Sequence, residues 1–215
     1  KDFKNIRKNG LIALNLREGD ELLRAKITYG DADIIFVTQD GNAIRFNETD
    51  VRPMGRTASG VKAISLREGD VAVCMDIAVE DEKLLVVSEN GYGKRTNLDE
   101  YKVQNRGGIG LITYKVSDKT GKVVGATVCK EDDELMLINN QGVAIRINVS
   151  DISVTSRSAM GVKLMRTLED EAVVTIAKIS GDTNEEEEEM TLLDESEDTN
   201  IIVEEVATEV KDEEN

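Results

Sequence analysis

The 215-residue sequence contains no histidine and no tryptophan, a single proline (Pro53), two cysteines and only 3% aromatic residues. Each shortage excludes something. Without histidine the chain lacks the commonest general base and the commonest neutral metal ligand. With so few aromatics it lacks the stacking platforms of single-strand nucleic-acid binders. Cys74 and Cys129 each lie inside an apolar run, Val71–Met75 and Gly125–Cys129; two such residues make no disulfide framework and read as buried reduced thiols. No apolar run approaches the ~18 residues needed to cross a bilayer, and the first residues show no charged-then-apolar signal pattern. A cytoplasmic protein without a membrane partner is expected.

Acid is what the chain has in excess, with a formal net charge of -16. It is unevenly placed. Residues 1–180 hold 26 Lys+Arg against 27 Asp+Glu, whereas residues 181–215 hold one lysine against 16 acids. A charge-balanced body therefore carries a polyanionic tail, and the two need separate readings. The tail has few core formers and includes Glu185–Glu189, so 181–215 is expected to be disordered. Ile202, Val206 and Val210 have helical spacing, but a solvated acidic tail is the simpler reading.

The body repeats itself. Gly10-Leu11-Ile12-Ala13, Gly60-Val61-Lys62-Ala63, Gly110-Leu111-Ile112-Thr113 and Gly161-Val162-Lys163-Leu164 recur at a period of about 50 residues. Leu16-Arg17-Glu18-Gly19-Asp20 returns unchanged as Leu66-Arg67-Glu68-Gly69-Asp70. The apolar runs Ile34–Val37, Leu84–Val87 and Leu135–Ile138 share the period, and a turn follows each at Asp40-Gly41, Asn90-Gly91 and Gln141-Gly142. Short aliphatic runs closed by such turns signal hairpins, since glycine accepts the positive φ of a tight turn. The lone proline falls in a connecting loop, where no ladder donor is lost.

Each unit reads as about four strands, and four-stranded units at this period suggest blades stacked around an axis. The expected fold is all-β, a propeller-like partial ring with units at 33–79, 83–128 and 134–179. Residues 1–30 match only the second half of a unit and read as a half-blade completing a missing upstream blade. Kelch propellers have a similar period, but the absence of tryptophan and of a glycine doublet after the first strand disfavours them.

The loops before the Gly-started strands each carry a basic residue three or four positions ahead of the glycine: Arg7, Arg56, Arg106 and Arg157. Stacked units would put these charges in register along one rim. Spaced cations suit a curved phosphate backbone, because lysine and arginine displace condensed counterions without reading sequence. Taken singly, each is as well explained as a solvated loop charge. Arg45, Arg95 and Arg146 also repeat, as do the acids Asp50, Glu100 and Asp151. For Arg45 and Arg146, an ion pair with Asp50 and Asp151 competes with a DNA role. Gly107-Gly108 is not followed by Lys-Ser/Thr or a helix pattern, so nucleotide binding is not indicated. Tyr92, Tyr101 and Tyr114 read as packing residues.

Together Gly55-Arg56 with Gly60-Val61-Lys62, Gly91-Tyr92-Gly93-Lys94-Arg95-Thr96 and Gln104-Asn105-Arg106-Gly107-Gly108-Ile109-Gly110 resemble the C-terminal domains of DNA gyrase A subunits, type IIA topoisomerases, over essentially all of 1–180. The resemblance implies a β-pinwheel whose rim wraps double-stranded DNA. Such wrapping orients a crossover for ATP-dependent negative supercoiling by the full enzyme. It further implies a heterotetramer in which an ATPase B subunit joins the rest of the A subunit, with ATP and Mg2+ used elsewhere than in this region. No cofactor, metal or catalytic residue is expected here, since the cleavage tyrosine belongs to another domain. Gln104, Arg106, Gly107, Gly108 and Gly110 match that family's signature box, whereas Asn105 and Ile109 stand where the full box has basic residues. The candidate DNA ligands are Arg7, Lys8, Arg56, Lys62, Lys94, Arg95, Arg106, Lys115, Arg157 and Lys163. Three alternatives compete: the shorter pinwheel of topoisomerase IV A subunits, a propeller-like protein-interaction module, and, more distantly, a propeller enzyme acting on glycans or small molecules.

Overall fold

In the computed structural model the described residues are 8–168 and 170–181. Arg7, the acidic run and the Ile202/Val206/Val210 pattern lie outside them. Among the described residues there is no α-helix; eleven strands and three single-turn 3-10 helices account for the regular structure.

Three antiparallel hairpins form first along the chain in each unit: β1 (Asp33–Thr38) with β2 (Asn42–Asn47), β4 (Lys83–Ser88) with β5 (Tyr92–Asn97), and β8 (Glu134–Asn139) with β9 (Ala144–Asn148). Their turns bend where the glycines were read: Gly41 and Gly91 donate their N–H to the carbonyls of Thr38 and Ser88, at φ +82° and +71°. A later strand joins the other side of each first strand: β3 (Ala72–Ala78) pairs with β1, β7 (Val123–Cys129) with β4, and β11 (Val173–Ile179) with β8. Each 3-10 turn, Glu48–Asp50, Leu98–Glu100 and Val149–Asp151, follows the second strand of its hairpin.

The fourth strand comes from elsewhere. β6 (Leu111–Ile112) pairs with β2, and β10 (Val162–Lys163) with β5, giving the orders β3-β1-β2-β6 and β10-β5-β4-β7; the third sheet, β11-β8-β9, has three strands. The expected contiguous four-stranded units are therefore corrected. Each Gly-started segment crosses to the second strand of the unit before it. The glycines show why their type matters at this crossing. A Cβ on Gly41 would sit 2.2 Å from the Tyr114 carbonyl oxygen, and one on Gly91 equally close to that of Met165, whereas one on Gly142 would meet nothing within 4 Å.

The same crossing explains a second correction. Residues 8–32 contain no strand, nor does Gly60–Ala63, because no second strand of a preceding unit lies among the described residues to receive them. The segment is nevertheless tied down: Lys26 Nζ is 3.1 Å from the Asp76 carboxylate, and Glu48 accepts from the N–H groups of Gly30 and Ala32. Asp76 is itself buried. Burial works to raise its pKa, but hydrogen bonds from Val128 N–H and from Lys26 more than offset it and hold the carboxyl below its ordinary value.

The sheets pack face to face around two main cores. Ile35, Val37 and Cys74 of the first sheet meet Leu84, Val86 and Val128 of the second; Leu85, Val87 and Cys129 meet Leu135, Leu137 and Val173 of the third. In the central strand β4 five consecutive residues, Leu84–Ser88, are buried, because both of its faces are covered. β3 packs against β7 and β7 against β11. These edges form the inner side of the stack, which puts β6, β10 and the loops preceding them on the outer side.

Candidate nucleic-acid interface

The outer loops are built on one plan. The chain leaves the 3-10 turn, touches the second strand of the previous sheet at a single parallel bridge, arches, and returns as the Gly-started strand. Val103 bridges Arg45 and Val154 bridges Arg95. The arch then spans one buried residue of the strand beneath, and the return brings Gly110 and Gly161 so near the carbonyls of Ala43 and Gly93 that a Cβ would lie 2.3 and 2.2 Å from the oxygens.

The box-like loop is such an arch. Gln104 N–H donates to the Arg45 carbonyl at 2.8 Å, Gly107 N–H to Ala63 at 2.6 Å, and Ser65 N–H to Gly108 at 2.8 Å. Arg106 donates through Nε to the Asp50 carbonyl and through Nη1 to the Lys62 carbonyl, both at 3.1 Å. The motif thus joins the first sheet to the Gly-started segment of the unit before.

Its arginine has counterparts. Arg56 Nη1 donates to the Ile12 carbonyl at 2.7 Å, and Arg157 Nη1 to the Ile112 carbonyl at 3.1 Å. Ile12, Lys62 and Ile112 each stand two residues after the leading glycine. The register-matched arginines therefore latch successive units together, each gripping the backbone of the previous Gly-started segment. A carbonyl partner leaves the guanidinium charge uncancelled. Only Arg157 also faces a carboxylate, Glu100, at 4.0 Å.

Lys94 and Arg95 require correction as DNA ligands. Lys94 is fully buried: it occupies the place under its arch that Ile44 holds in the first sheet, and its ammonium donates to the carbonyls of Ser156, at 2.7 Å, and Arg157. Burial pushes its pKa down to about 8. Arg95 is 4% exposed. It donates to the carbonyls of Ile152 and Ser150 and to the Glu131 carboxylate, at 2.6 Å. Hydrogen bonds from Lys83 and Arg95 hold Glu131 at a pKa of about 2, so this arginine's charge is already matched.

Arg45 and Arg146 are ion-paired, but with other acids than expected. Arg45 meets Asp33 at 2.7 Å and Arg146 meets Glu134. Both acids lie on the neighbouring strand, diagonally across the ladder, where side chains on one face reach each other. Asp50 and Asp151 lie beyond the strand ends in the 3-10 turns.

The exposed cations among the candidates are Lys8, Lys62, Lys115 and Lys163. Lys62 and Lys163 occupy equivalent positions, two after the glycine. Lys163 donates to the Asn90 carbonyl at 2.7 Å and lies 4.7 Å from the Tyr92 ring centroid. Lys119, which sequence reasoning missed, lies 5.6 Å from the same ring. No periodic signal pointed to it, because Ser117–Gly121 replaces the Arg-Glu-Gly-Asp turn of other units. The acids gather elsewhere: Asp31, Asp33, Glu80, Asp81, Glu82 and Asp99 line a cleft of about 870 Å³ at the strand ends remote from the hairpin turns. Among the described residues no group of His, Cys, Asp or Glu is arranged to hold a metal ion, and no helix is long and apolar enough to cross a membrane.

The sequence model of the family described as DNA gyrase C-terminal domain, beta-propeller, matches residues 1–28, 32–73, 82–130 and 133–180. The DNA gyrase A protein of Clostridium acetobutylicum is 68% identical over 187 residues, 87% of this chain and 22% of that protein. That of Staphylococcus aureus strain MRSA252 is 41% identical over 190 residues, covering 87% and 21%. The chain thus spans about a fifth of the length of these curated relatives. Among solved structures, a DNA gyrase A C-terminal domain matches with TM-score 0.73 and 34% identity, covering 80% of this chain and 59% of that one. The C-terminal domain of a DNA topoisomerase IV matches with TM-score 0.82 and 25% identity, covering 90% and 61%.

Proposed function

Because this chain belongs to the DNA gyrase C-terminal domain, β-propeller family, we propose that it is the part of a gyrase A protein that holds duplex DNA in a curve along its outer side. The observation that carries the reading is the exposure of one lysine shortly after each of three consecutive leading glycines: Lys62, Lys115 and Lys163. Lys8 and Lys119 extend the track. Bending a 20–30 base-pair site costs roughly 1–6 kcal/mol, so several distributed phosphate contacts, none sequence-reading, suit the task. The latching arginines contribute a second way. Arg157 holds the donated strand β6 through the Ile112 carbonyl, Arg56 and Arg106 hold the Gly-started segments at Ile12 and Lys62, and all three still present positive charge on the same side.

In this reading the chain catalyses nothing itself. An ATPase B subunit, together with the rest of the A subunit, supplies strand passage, ATP and Mg2+, in the bacterial cytoplasm. Gyrase is preferred to topoisomerase IV because of the sequence identities and the box-like loop.

Titration of a long linear duplex at several salt concentrations tests it. Each phosphate neutralised contributes about -0.9 to the slope of log K against log salt. Replacing Lys62, Lys115 and Lys163 together by glutamine is expected to reduce the slope's magnitude by about 2.7 on that scale. An unchanged slope would remove these lysines from the interface, and salt-independent binding would remove the wrapping role.

A further inference from the structure

The hairpin turns of the first two sheets are built alike and charged differently. In the first, Asp40 precedes the turn glycine, and Lys122 Nζ lies 3.4 Å from its carboxylate. In the second the residue before the glycine is Asn90, which carries no charge. Its side-chain amide donates to the carbonyls of Asp118 and Lys119, both at 3.1 Å, and its backbone N–H donates to that of Thr120 at 3.0 Å. Glu89 adds two links: its N–H donates to the Lys122 carbonyl, and its carboxylate accepts from the Lys122 N–H. Ser117–Gly121 is thereby fastened to the hairpin, and the Lys119 side chain leaves from a fixed backbone.

Tyr92 opens β5 and pairs across the ladder with Lys163 of β10. Lys163 Nζ lies 4.7 Å from the Tyr92 ring centroid and donates to the Asn90 carbonyl at 2.7 Å; Lys119 Nζ lies 5.6 Å from the same centroid. Two ammonium groups, one from unit 83–128 and one from unit 134–179, thus rest against a single ring. Both lysines are exposed, and among the described residues neither meets a carboxylate. The other rings that a cation approaches, Tyr114 and Tyr101, are buried. The first sheet has no such grouping, because Asn42 and Ile112 occupy the equivalent paired positions. A ring face attracts an ammonium without cancelling its charge. It also restrains a flexible side chain whose ordering would otherwise cost affinity on binding, and it leaves N–H donors free for an anion.

We infer that Lys119, Tyr92 and Lys163 form a phosphate clip for the DNA backbone at the seam between units 83–128 and 134–179, with Tyr92 as its positioning residue. The inference rests on the DNA-holding reading above and makes the grip along the track uneven, tightest where two cations are set in advance. The ring is half-buried beneath the two lysines, which leaves backbone phosphates, rather than a stacked base, as the ligand.

Equilibrium binding of the full chain to a long linear duplex at one low salt concentration tests the clip. Tyr92→Leu keeps the apolar packing and every charge but removes the ring face, and is expected to weaken binding about 3- to 10-fold. Tyr92→Phe keeps the face and is expected to restore binding to within about twofold of wild type. In a Lys119→Gln/Lys163→Gln chain, itself weakened, Tyr92→Leu is expected to cost nothing further; an equal loss there would make the tyrosine merely structural and overturn the clip. Tyr92→Met replaces Tyr92→Leu if that chain loses its β circular dichroism. Lys62→Gln, elsewhere on the track, separates the two readings. If it weakens binding and Tyr92→Leu does not, the clip is overturned and the track stands. If Lys62→Gln and the double lysine variant both bind as wild type does, the DNA-holding reading fails and the clip falls with it.

Discussion

Arg106 offers the sharpest separation between a latch and a phosphate ligand. Its guanidinium joins the carbonyls of Asp50 and Lys62, both at 3.1 Å, from a half-buried position. A hydrogen bond to a charged donor contributes about 1.5–3 kcal/mol when well buried. With partial exposure, removal of both is expected to cost about 2 kcal/mol in total. In a body of this size 1 kcal/mol moves Tm by about 2–4 °C, so Arg106→Gln is expected to lower Tm by roughly 4–8 °C. The informative comparison is Arg106→Lys. Lysine keeps the charge but lacks the planar fork that spans two carbonyls, so a latch fails with lysine almost as badly as with glutamine, whereas a phosphate ligand is largely rescued. Scanning calorimetry of the three proteins, paired with the salt dependence of duplex binding, reads both properties. If Arg106→Gln leaves Tm unchanged and lowers the salt slope by about 0.9, and Arg106→Lys restores the slope, the latch is refuted and the residue belongs to the DNA surface.

The buried groups and the crossing glycines give further tests. Lys94 has a folded pKa lowered to about 8 from 10.5, so between those values the unfolded chain binds more protons and Lys94 adds stability as pH rises; the stability difference between wild type and Lys94→Met, from urea unfolding, is expected to shift in favour of wild type across that window, and a flat difference would count against the burial effect. Cys74 and Cys129 are raised by burial to about 12, so their contribution is complete below pH 9 and lost as pH climbs from 9 through 12. A thiol reagent at about pH 8 is expected to label them only as fast as the protein opens, and rapid labelling of the native protein would refute their inertness. Gly91→Ala drives a Cβ to 2.2 Å from the Met165 oxygen and is expected to cost several kcal/mol or undock β10, whereas Gly142→Ala, with open space around it, is expected to cost only the roughly 1 kcal/mol of its positive φ. Similar losses at both sites would argue against strand donation in the second sheet.

The hairpins were legible because everything that makes them is local. Ile34–Val37, Leu84–Val87 and Leu135–Ile138, each followed by a glycine turn, lie inside β1, β4 and β8 with one or two residues to spare. The buried thiols were legible from the apolar runs around them; of the three tyrosines read as packing residues, Tyr101 and Tyr114 are buried, whereas Tyr92 is half-buried beneath Lys119 and Lys163. The strand exchange was not. A pattern of period about 50 states that Gly110–Thr113 is a repeated strand, but a strand bonded to its own hairpin and one bonded to the previous hairpin have the same residues at the same spacing. The arginines were ambiguous for a related reason: a charge facing a neighbouring unit's carbonyl and a charge facing solvent recur at the same interval.

That ambiguity has a physical root that bears on how such a surface changes. In a stack of similar units, nearest-neighbour contacts must repeat wherever the interface repeats, so periodicity is enforced most strongly on residues that join units. A contact to DNA is enforced only by the requirement that charge lie somewhere along the track, because phosphate binding tolerates displacement of a lysine by a residue or two. Lys62 and Lys163 keep the phase, but Lys115 lies three residues further on and Lys119 further still, out of register yet exposed. The in-phase arginines among the described residues, Arg56, Arg106 and Arg157, by contrast, each grip the carbonyl two residues after a leading glycine. Strict period therefore marks the scaffold, and loose period among exposed cations marks the surface proposed to meet the duplex.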